Sequence, residues 1–273
     1  MHTSSKGTAL ITGASSGIGA IYADRLAGRG HDLILVARNR ERLDALATSL
    51  TNDTRRSVGI IVADLNNTKD LARVEEVLGT DTSITMLINN AGVAAVSPLL
   101  ESDIDKMDEM ITLNIRALTR LTYAAAPGFV ARGGGTIINI ASIVGIAPEL
   151  LNGVYGGTKA FVIAFSLSLH RELSEKNLRV QVVLPGVTAT DIWEKAGRPV
   201  KHLPSEIVMQ ANDMVDAAIV GLDQGELVTI PSLPEAADWQ AYEAARQRLI
   251  PNLSRKVPAV RYGVTTPNPI GDR

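Results

Sequence analysis

Tyr155 and Lys159 stand four residues apart in the stretch Tyr155-Gly156-Gly157-Thr158-Lys159. A helix from about Tyr155 onward puts their phenol and ammonium on one face. A fixed cation beside a phenol lowers its pKa from ~10 toward working pH and makes the tyrosine a usable proton donor and acceptor. Bringing it to ~7 takes roughly 4 kcal/mol of preferential stabilisation of the phenolate. Ser142 comes shortly before, at the end of the apolar run 136–140, and the weakly charged loop 143–154 with Pro148 is a candidate pocket wall.

Such a pair needs elements to place it and something to hold a reactant. Ahead of it the chain alternates short apolar runs with amphipathic stretches. Runs at 8–11, 32–36, 57–63, 84–88 and 136–140 read as buried strands, with helices predicted at 20–30, 41–50, 68–78 and 103–126. The first run ends in Thr12-Gly13-Ala14-Ser15-Ser16-Gly17-Ile18-Gly19. Glycines there permit positive φ and close approach of backbone N–H groups, and the following helix N-terminus adds partial positive charge; a pyrophosphate suits both. The spacing is G-x-x-x-G-x-G rather than the commoner G-x-G-x-x-G. After the second run, the place of an acid that would bind a ribose 2′-hydroxyl holds Ala37, followed by Arg38. A guanidinium there favours a 2′-phosphate. At roughly 1.5–3 kcal/mol for a charge-assisted hydrogen bond it predicts NADP over NAD by about one to two decades, with Ser15 assisting. Asp64, after the third run, is placed to meet an adenine edge, and Asn89-Asn90-Ala91-Gly92 again puts small residues and amides at a strand's carboxyl end, where open α/β sheets bind ligands.

Asn114 interrupts the helix predicted over 103–126, where an amide either faces solvent or is buried and satisfied. The helix from Tyr155 is apolar nearly all round as far as Leu169. Covering a sheet needs one apolar stripe, so its outer face calls for a cover, most simply a second copy of the chain. A sixth strand at 179–184 ends in Pro185-Gly186-Val187-Thr188-Ala189-Thr190, and 191–204, with Trp193, reads as a mobile lid. A helix at 205–222 capped by Ser205, a last strand at 226–230, and a short helix at 234–249 with Trp239, Tyr242 and Leu249 on one face complete the pattern. A proline-dotted tail follows, with disorder expected near Arg273.

The 273 residues are 45% hydrophobic and 21% charged, with a formal net charge of -2. Such a chain has no basic field to draw nucleic acid or an anionic membrane. With no cysteine, disulfides, thiolate metal sites and cysteine nucleophiles are excluded, and no metal site is expected. No apolar stretch reaches roughly 18 residues unbroken, and the opening residues lack the apolar run of a signal peptide, so a cytoplasmic protein is expected. The length suits one α/β unit. Residues 1–230 are expected to form the cofactor-binding catalytic domain, and 231–273 to pack on it or on a neighbouring subunit.

Taken together, Thr12-Gly13-x-x-x-Gly17-x-Gly19, Asp64, Asn89-Asn90-Ala91-Gly92, Asn114, Ser142, Tyr155-x-x-x-Lys159, Pro185-Gly186 and Thr190 resemble the short-chain dehydrogenase/reductase family in order and spacing, from Thr12 to Thr190. The resemblance implies a Rossmann-type α/β fold: a doubly wound parallel sheet of about seven strands with helices on both faces, a three-layer α/β/α sandwich. It implies that Tyr155 protonates a carbonyl oxygen as hydride arrives from the nicotinamide. Lys159 holds the nicotinamide ribose and lowers the tyrosine's pKa, Ser142 donates to the substrate oxygen, and Asn114 holds a water linking Lys159 to solvent. NADP(H) would lie along Gly13, Ser15, Ser16, Gly17, Ile18, Gly19, Arg38, Asp64, Leu65, Asn90, Ala91, Gly92, Pro185, Gly186, Thr188 and Thr190, with Tyr155 and Lys159. Gly156 and Gly157 soften the catalytic helix without a functional reason visible in sequence.

The expected function is NADPH-dependent reduction of a ketone or aldehyde, reversible, by a homodimer or homotetramer. A 3-oxoacyl thioester is the variant substrate. The contrasting readings are a non-catalytic NADP sensor, which has no need of a complete proton relay, and an isomerase or dehydratase, which would not oxidise the cofactor.

Overall fold

The computed structural model describes residues 5–264, and the disorder expected near Arg273 falls outside them. Six strands, β1 (Thr8–Thr12), β2 (Asp32–Ala37), β3 (Val58–Val62), β4 (Ile84–Asn89), β5 (Gly135–Ile140) and β6 (Leu178–Val183), form one sheet with the short strand β9 (Val228–Thr229). The order is β3-β2-β1-β4-β5-β6-β9 and every pairing is parallel. Parallel strands need long crossovers, here helices on both faces, so the central strands read as unbroken apolar runs. All five residues of β1 are buried. Its alternate side chains serve opposite layers, as the period of two requires. Ala9 and Ile11 pack with α1 (Gly17–Gly28), α2 (Arg40–Thr54) and α8 (Ala211–Gln224), whereas Leu10 packs with α3 (Thr68–Thr80) and α5 (Leu118–Ala131).

Strand order reverses between β1 and β4, which opens a crevice at their carboxyl ends. Thr12 ties the two ends together. Its hydroxyl donates to the Ile88 carbonyl (3.2 Å) and accepts from the Asn90 and Ala91 amides (3.0 Å each).

Three segments differ from the sequence expectation. The helix predicted over 103–126 is α4 (Ile104–Ile111), a π turn (Thr112–Ala117) containing Asn114, and α5, which runs through Pro127 to Ala131. Pro127 gives up one backbone hydrogen bond of α5 without ending it, because Phe129 beyond it is fully buried and holds the last turn to the core. Ser205 caps nothing: 205–207 is a 3-10 turn, and β8 (Met209–Gln210) pairs with β7 (Thr188–Ala189) before α8 begins at Ala211. The lid segment carries the one-turn helix α7 (Ile192–Lys195).

The chain divides into two compact units, 1–232 and 233–273. In the second, α9 (Ala236–Leu249) stacks Trp239 on Tyr242 at 5.2 Å, and none of its residues is buried. Among the described residues no helix is long and apolar enough to cross a membrane.

Candidate active site

Tyr155 lies in the first turn of α6 (Gly153–Leu173), and Asn152 fixes that turn. The Asn152 side-chain oxygen accepts from the Val154 and Tyr155 amides (2.9 and 3.2 Å), and its amide nitrogen donates to the Ser97 carbonyl and the Ser102 hydroxyl (2.7 and 3.1 Å). The helix thus starts two residues ahead of the expected Tyr155, and an asparagine just ahead of an apolar run is the ordinary signal of such a cap.

One turn on, Lys159 is buried and its Nζ donates to the Ile140 carbonyl at the end of β5 (2.9 Å). It stands 5.9 Å from the centre of the Tyr155 ring. Ser142, two residues beyond β5, accepts from the Val144 amide (3.3 Å) and donates to the Pro185 carbonyl (3.4 Å), with its hydroxyl beside the Tyr155 phenol. Burial pushes that phenol up from its usual value, and the nearby Ser142 hydroxyl only partly opposes it. Burial also brings the Lys159 ammonium down to about 8. Burial disfavours the charged form of each group and neither is a cause of the other's shift, so the lowering of the tyrosine's pKa expected of Lys159 has no counterpart in the protein alone.

Asn114 does not line the cleft. Its carbonyl accepts from the Val93 amide (3.0 Å), and its amide donates to the Val93 carbonyl (2.9 Å) and to the Thr158 hydroxyl (3.1 Å), which in turn donates to the Tyr155 carbonyl (2.8 Å). Asn114 thus locks the loop segment following Gly92 to the catalytic helix. A Cβ on Gly92 would stand 3.1 Å from the Asn114 oxygen and 3.6 Å from Lys159 Nζ, so glycine keeps that junction open.

Two adjoining hollows meet here. A cleft of about 970 Å³ has Ser142, Tyr155 and Lys159 on its wall together with Pro185, Gly186, Thr188 and Thr190. The rest of its lining is mainly apolar: Ala94, Ile143, Val144, Leu150, Leu151, Ile192, Trp193, Leu203, Ile207, Val208 and Met209, with Arg198 and Glu206 as its further charged groups. A groove of about 500 Å³ gathers Gly13, Ser15, Ser16, Gly17, Arg38, Asp64, Leu65 and Ala91. Ile18, Asn90, Gly92, Ala94, Thr190 and Ile192 belong to both hollows.

The groove fits a dinucleotide. Gly13 and Gly17 have φ of +65° and +53°, and a Cβ on Gly13 would fall 2.9 Å from the Ala91 backbone, so both positions require glycine in the turn that leads to the N-terminus of α1, where a phosphate is favoured. Gly19 lines neither hollow; its Cβ would strike the Gly13 carbonyl at 2.5 Å, and it serves the packing of helix on turn. Asn90 spends its side-chain amide on the Thr12 and Gly13 carbonyls (2.9 and 3.2 Å) and so shapes the turn as well as facing it. The Asp64 carboxylate accepts from the Asn66 amide (3.0 Å). Asn39, Arg42, Asp191 and Lys195 also line the groove and were missed in sequence, because only the fold brings 191–195 beside the end of β2.

Known proteins share this fold. A short-chain dehydrogenase from Sphingobium yanoikuyae, in complex with NADPH, superposes with a TM-score of 0.91 at 50% identity, covering 94% of this chain and 99% of its own. The bulky-bulky ketone specific alcohol dehydrogenase from Comamonas testosteroni superposes with a TM-score of 0.87 at 46% identity, covering 95% and 99%. The very-long-chain 3-oxoacyl-CoA reductase of Anas platyrhynchos is 37% identical over 196 residues, 70% of this chain; the chain spans 62% of that relative's length. The family model for short chain dehydrogenases matches residues 7–201, and on that extent the chain belongs to the short chain dehydrogenase family, oxidoreductases that work between CH–OH and C=O.

Proposed function

We propose that the protein reduces a bulky, largely apolar ketone to the alcohol with NADPH, reversibly. The observation that carries this is the meeting of Ser142, Tyr155 and Lys159 on one wall of the apolar cleft, where the dinucleotide groove opens into it. A nicotinamide dinucleotide is the cofactor; the choice of NADP rests on Arg38 at the end of β2, with Arg42 and Lys195 near it. Gly13, Ser15, Ser16 and Gly17 would hold the pyrophosphate, Asp64 and Leu65 the adenine end, and Thr188, Thr190, Pro185 and Gly186 the nicotinamide end. Hydride for the carbonyl carbon is what the reduced nicotinamide supplies when bound.

In this reading Tyr155 gives its phenolic proton to the carbonyl oxygen. Its raised pKa keeps that proton in place until negative charge develops on the substrate oxygen. Ser142 donates to the same oxygen and stabilises the alkoxide-like charge. Lys159 contributes a desolvated positive charge and holds a ribose hydroxyl. Asn114 has spent both amide hydrogens on the protein, so any water it holds for the relay hangs from a carbonyl oxygen. Tyr155→Phe keeps the ring and loses the proton. Turnover should fall by at least the ~10²–10⁴ ascribed to general acid catalysis, with NADPH affinity nearly unchanged; retained turnover would sink the mechanism.

The apolar lining and size of the cleft support the ketone, as does the ketone-specific relative from Comamonas. A 3-oxoacyl thioester is the second reading, favoured by the duck reductase. Matched panels of diaryl or aryl-alkyl ketones and 3-oxoacyl thioesters, followed at the nicotinamide absorbance, separate the two. Assembly as a homo-oligomer and action in the cytoplasm complete the proposal, to be read by light scattering and cell fractionation.

A further inference from the structure

The groove's far end carries more charge than one phosphate-selecting arginine requires. Arg38, Arg42 and Lys195 face it with Asp191, while the other acid of the groove, Asp64, is engaged by Asn66. Arg38 and Lys195 have no ion pair among the described residues, and Arg42 Nη1 stands 3.7 Å from Asp191 Oδ2, with both side chains more than half exposed. An acid in a phosphate-binding groove repels its ligand unless a cation offsets it. Here the offset comes from α2, whereas Asp191 sits on the lid.

Asp191 and Lys195 share one turn of that lid, the Lys195 amide donating to the Asp191 carbonyl (3.1 Å). The two residues between Thr190 and Glu194 beyond Asp191 form the wall of the substrate cleft: Ile192 lines both hollows, and Trp193 lines the cleft with its indole N–H donating to the Thr188 carbonyl (3.0 Å). The Trp193 carbonyl accepts from the Arg198 amide (2.9 Å), which carries the connection farther along the cleft.

We propose that Arg42, Asp191 and Lys195 form a charge link that reads the 2′-phosphate of the bound dinucleotide and passes its presence to the substrate cleft through Ile192 and Trp193. The proposal rests on the NADP reading above. A 2′-phosphate brings about −1.5 to −2 charge. That matches the surplus of Arg38, Arg42 and Lys195 over Asp191, so Lys195 is drawn to the phosphate while Arg42 bridges phosphate and Asp191 with its separate donors. The exposed Arg42–Asp191 pair contributes little alone, which leaves it free to rearrange. A dinucleotide without the phosphate leaves the surplus unanswered and the lid untouched. Cofactor choice is then enforced twice, by affinity and by the shape of the cleft. Asp191 and Lys195 are positioning residues in this account.

The test uses the full chain carrying Trp239→Phe, which leaves Trp193 as the sole tryptophan, and two fragments without nicotinamide, 2′,5′-ADP and 5′-AMP. Calorimetry gives their affinities, and Trp193 emission reads the cleft wall at equal saturation. The expected result is that 2′,5′-ADP binds at least tenfold tighter and shifts the emission, while 5′-AMP leaves it unchanged. Asp191→Asn should still bind 2′,5′-ADP but lose the shift, and Lys195→Gln should weaken both. These residues are exposed, so the substitutions spare the fold. Equal shifts with both fragments, or a shift that survives Asp191→Asn, would overturn the link while leaving NADP selection standing. Equal affinities for the two fragments would overturn the NADP reading and the link with it.

Discussion

At Tyr155 and Lys159 burial works against charge, and the two directions make a testable pair. The phenol, raised from its usual value, stays protonated through neutral pH, whereas the ammonium, brought down to about 8, is lost just above it. A decline in kcat/KM for NADPH as pH rises through about 8 is therefore expected to belong to Lys159, since that ratio reports the free enzyme; a profile flat to pH 9 would contradict it. The same shift is a stability statement. Below pH 8 Lys159 is protonated both folded and unfolded, and the folded state bears the full cost, roughly 3 kcal/mol for a drop from 10.5 to about 8. Between 8 and 10.5 the unfolded chain holds a proton the folded one has shed, so stability rises with pH relative to a variant lacking the group. Lys159→Met should be inactive yet more stable at pH 7 by about 2 kcal/mol, after about 1 kcal/mol for the lost bond to the Ile140 carbonyl, with the difference shrinking toward pH 10 in denaturant titrations. Arg38 gives a third prediction: Arg38→Ala should weaken NADPH about 10- to 100-fold and NADH little, as read by fluorescence titration. Each of these residues was legible from type and spacing. The direction of the tyrosine's shift was not, because a sequence shows that two groups are close and not how little water surrounds them.

At the scale of elements, α6 has two adjacent glycines that the fold treats differently. A Cβ on Gly156 would meet Pro148 at 3.0–3.1 Å, and the turn at 148–150 leads into Leu150 and Leu151 of the cleft wall. Gly157 has nothing within 4 Å. Gly157→Ala should stabilise the helix by up to ~1 kcal/mol. Gly156→Ala gains the same propensity but must displace Pro148, so its Tm should fall below that of Gly157→Ala and its KM for the ketone should rise; equal Tm and KM for the two would show that the Pro148 contact is slack. The sequence offered no reason for either glycine because the reason for Gly156 lies in a loop packed across the helix. Strands β1 to β6, by contrast, were legible nearly to the residue, since a strand covered on both faces is written as a continuous apolar run; the two-residue strands β7 and β8 were not. Expectations failed where long-range hydrogen bonds override local pattern. The π turn at Asn114 is held by Val93 and Thr158, and the start of α8 is delayed while Met209–Gln210 pairs with Thr188–Ala189.

For the whole molecule, the alternation of strand and helix was enough to read the doubly wound sheet, and the crevice between β1 and β4 follows from its strand order. What covers the sheet's own covering helices is a separate matter. Tyr123 on α5 is 69% exposed and stacks on Phe165 of α6 at 6.4 Å, and Phe165 stacks on Phe161 at 5.7 Å. Gly157, Ala164 and Ser168 are exposed on the same helix, at spacings that keep them beside Phe161 and Phe165. An aromatic ladder flanked by small residues lets another helix pair approach closely, and an isologous contact between two copies would use it twice about one axis. Light scattering should accordingly give a multiple of the monomer mass for the wild type. Tyr123→Glu, which puts a charge on the ladder and touches neither hollow, should reduce that mass while leaving the monomer folded by circular dichroism. Gly157→Ala separates helix propensity from assembly: within a covered face its methyl costs association even as it favours the helix, so its Tm gain should appear at low protein concentration and vanish at high. A wild type that scatters as a monomer at tens of micromolar, with Gly157→Ala uniformly stabilising, would mean that this face meets only water.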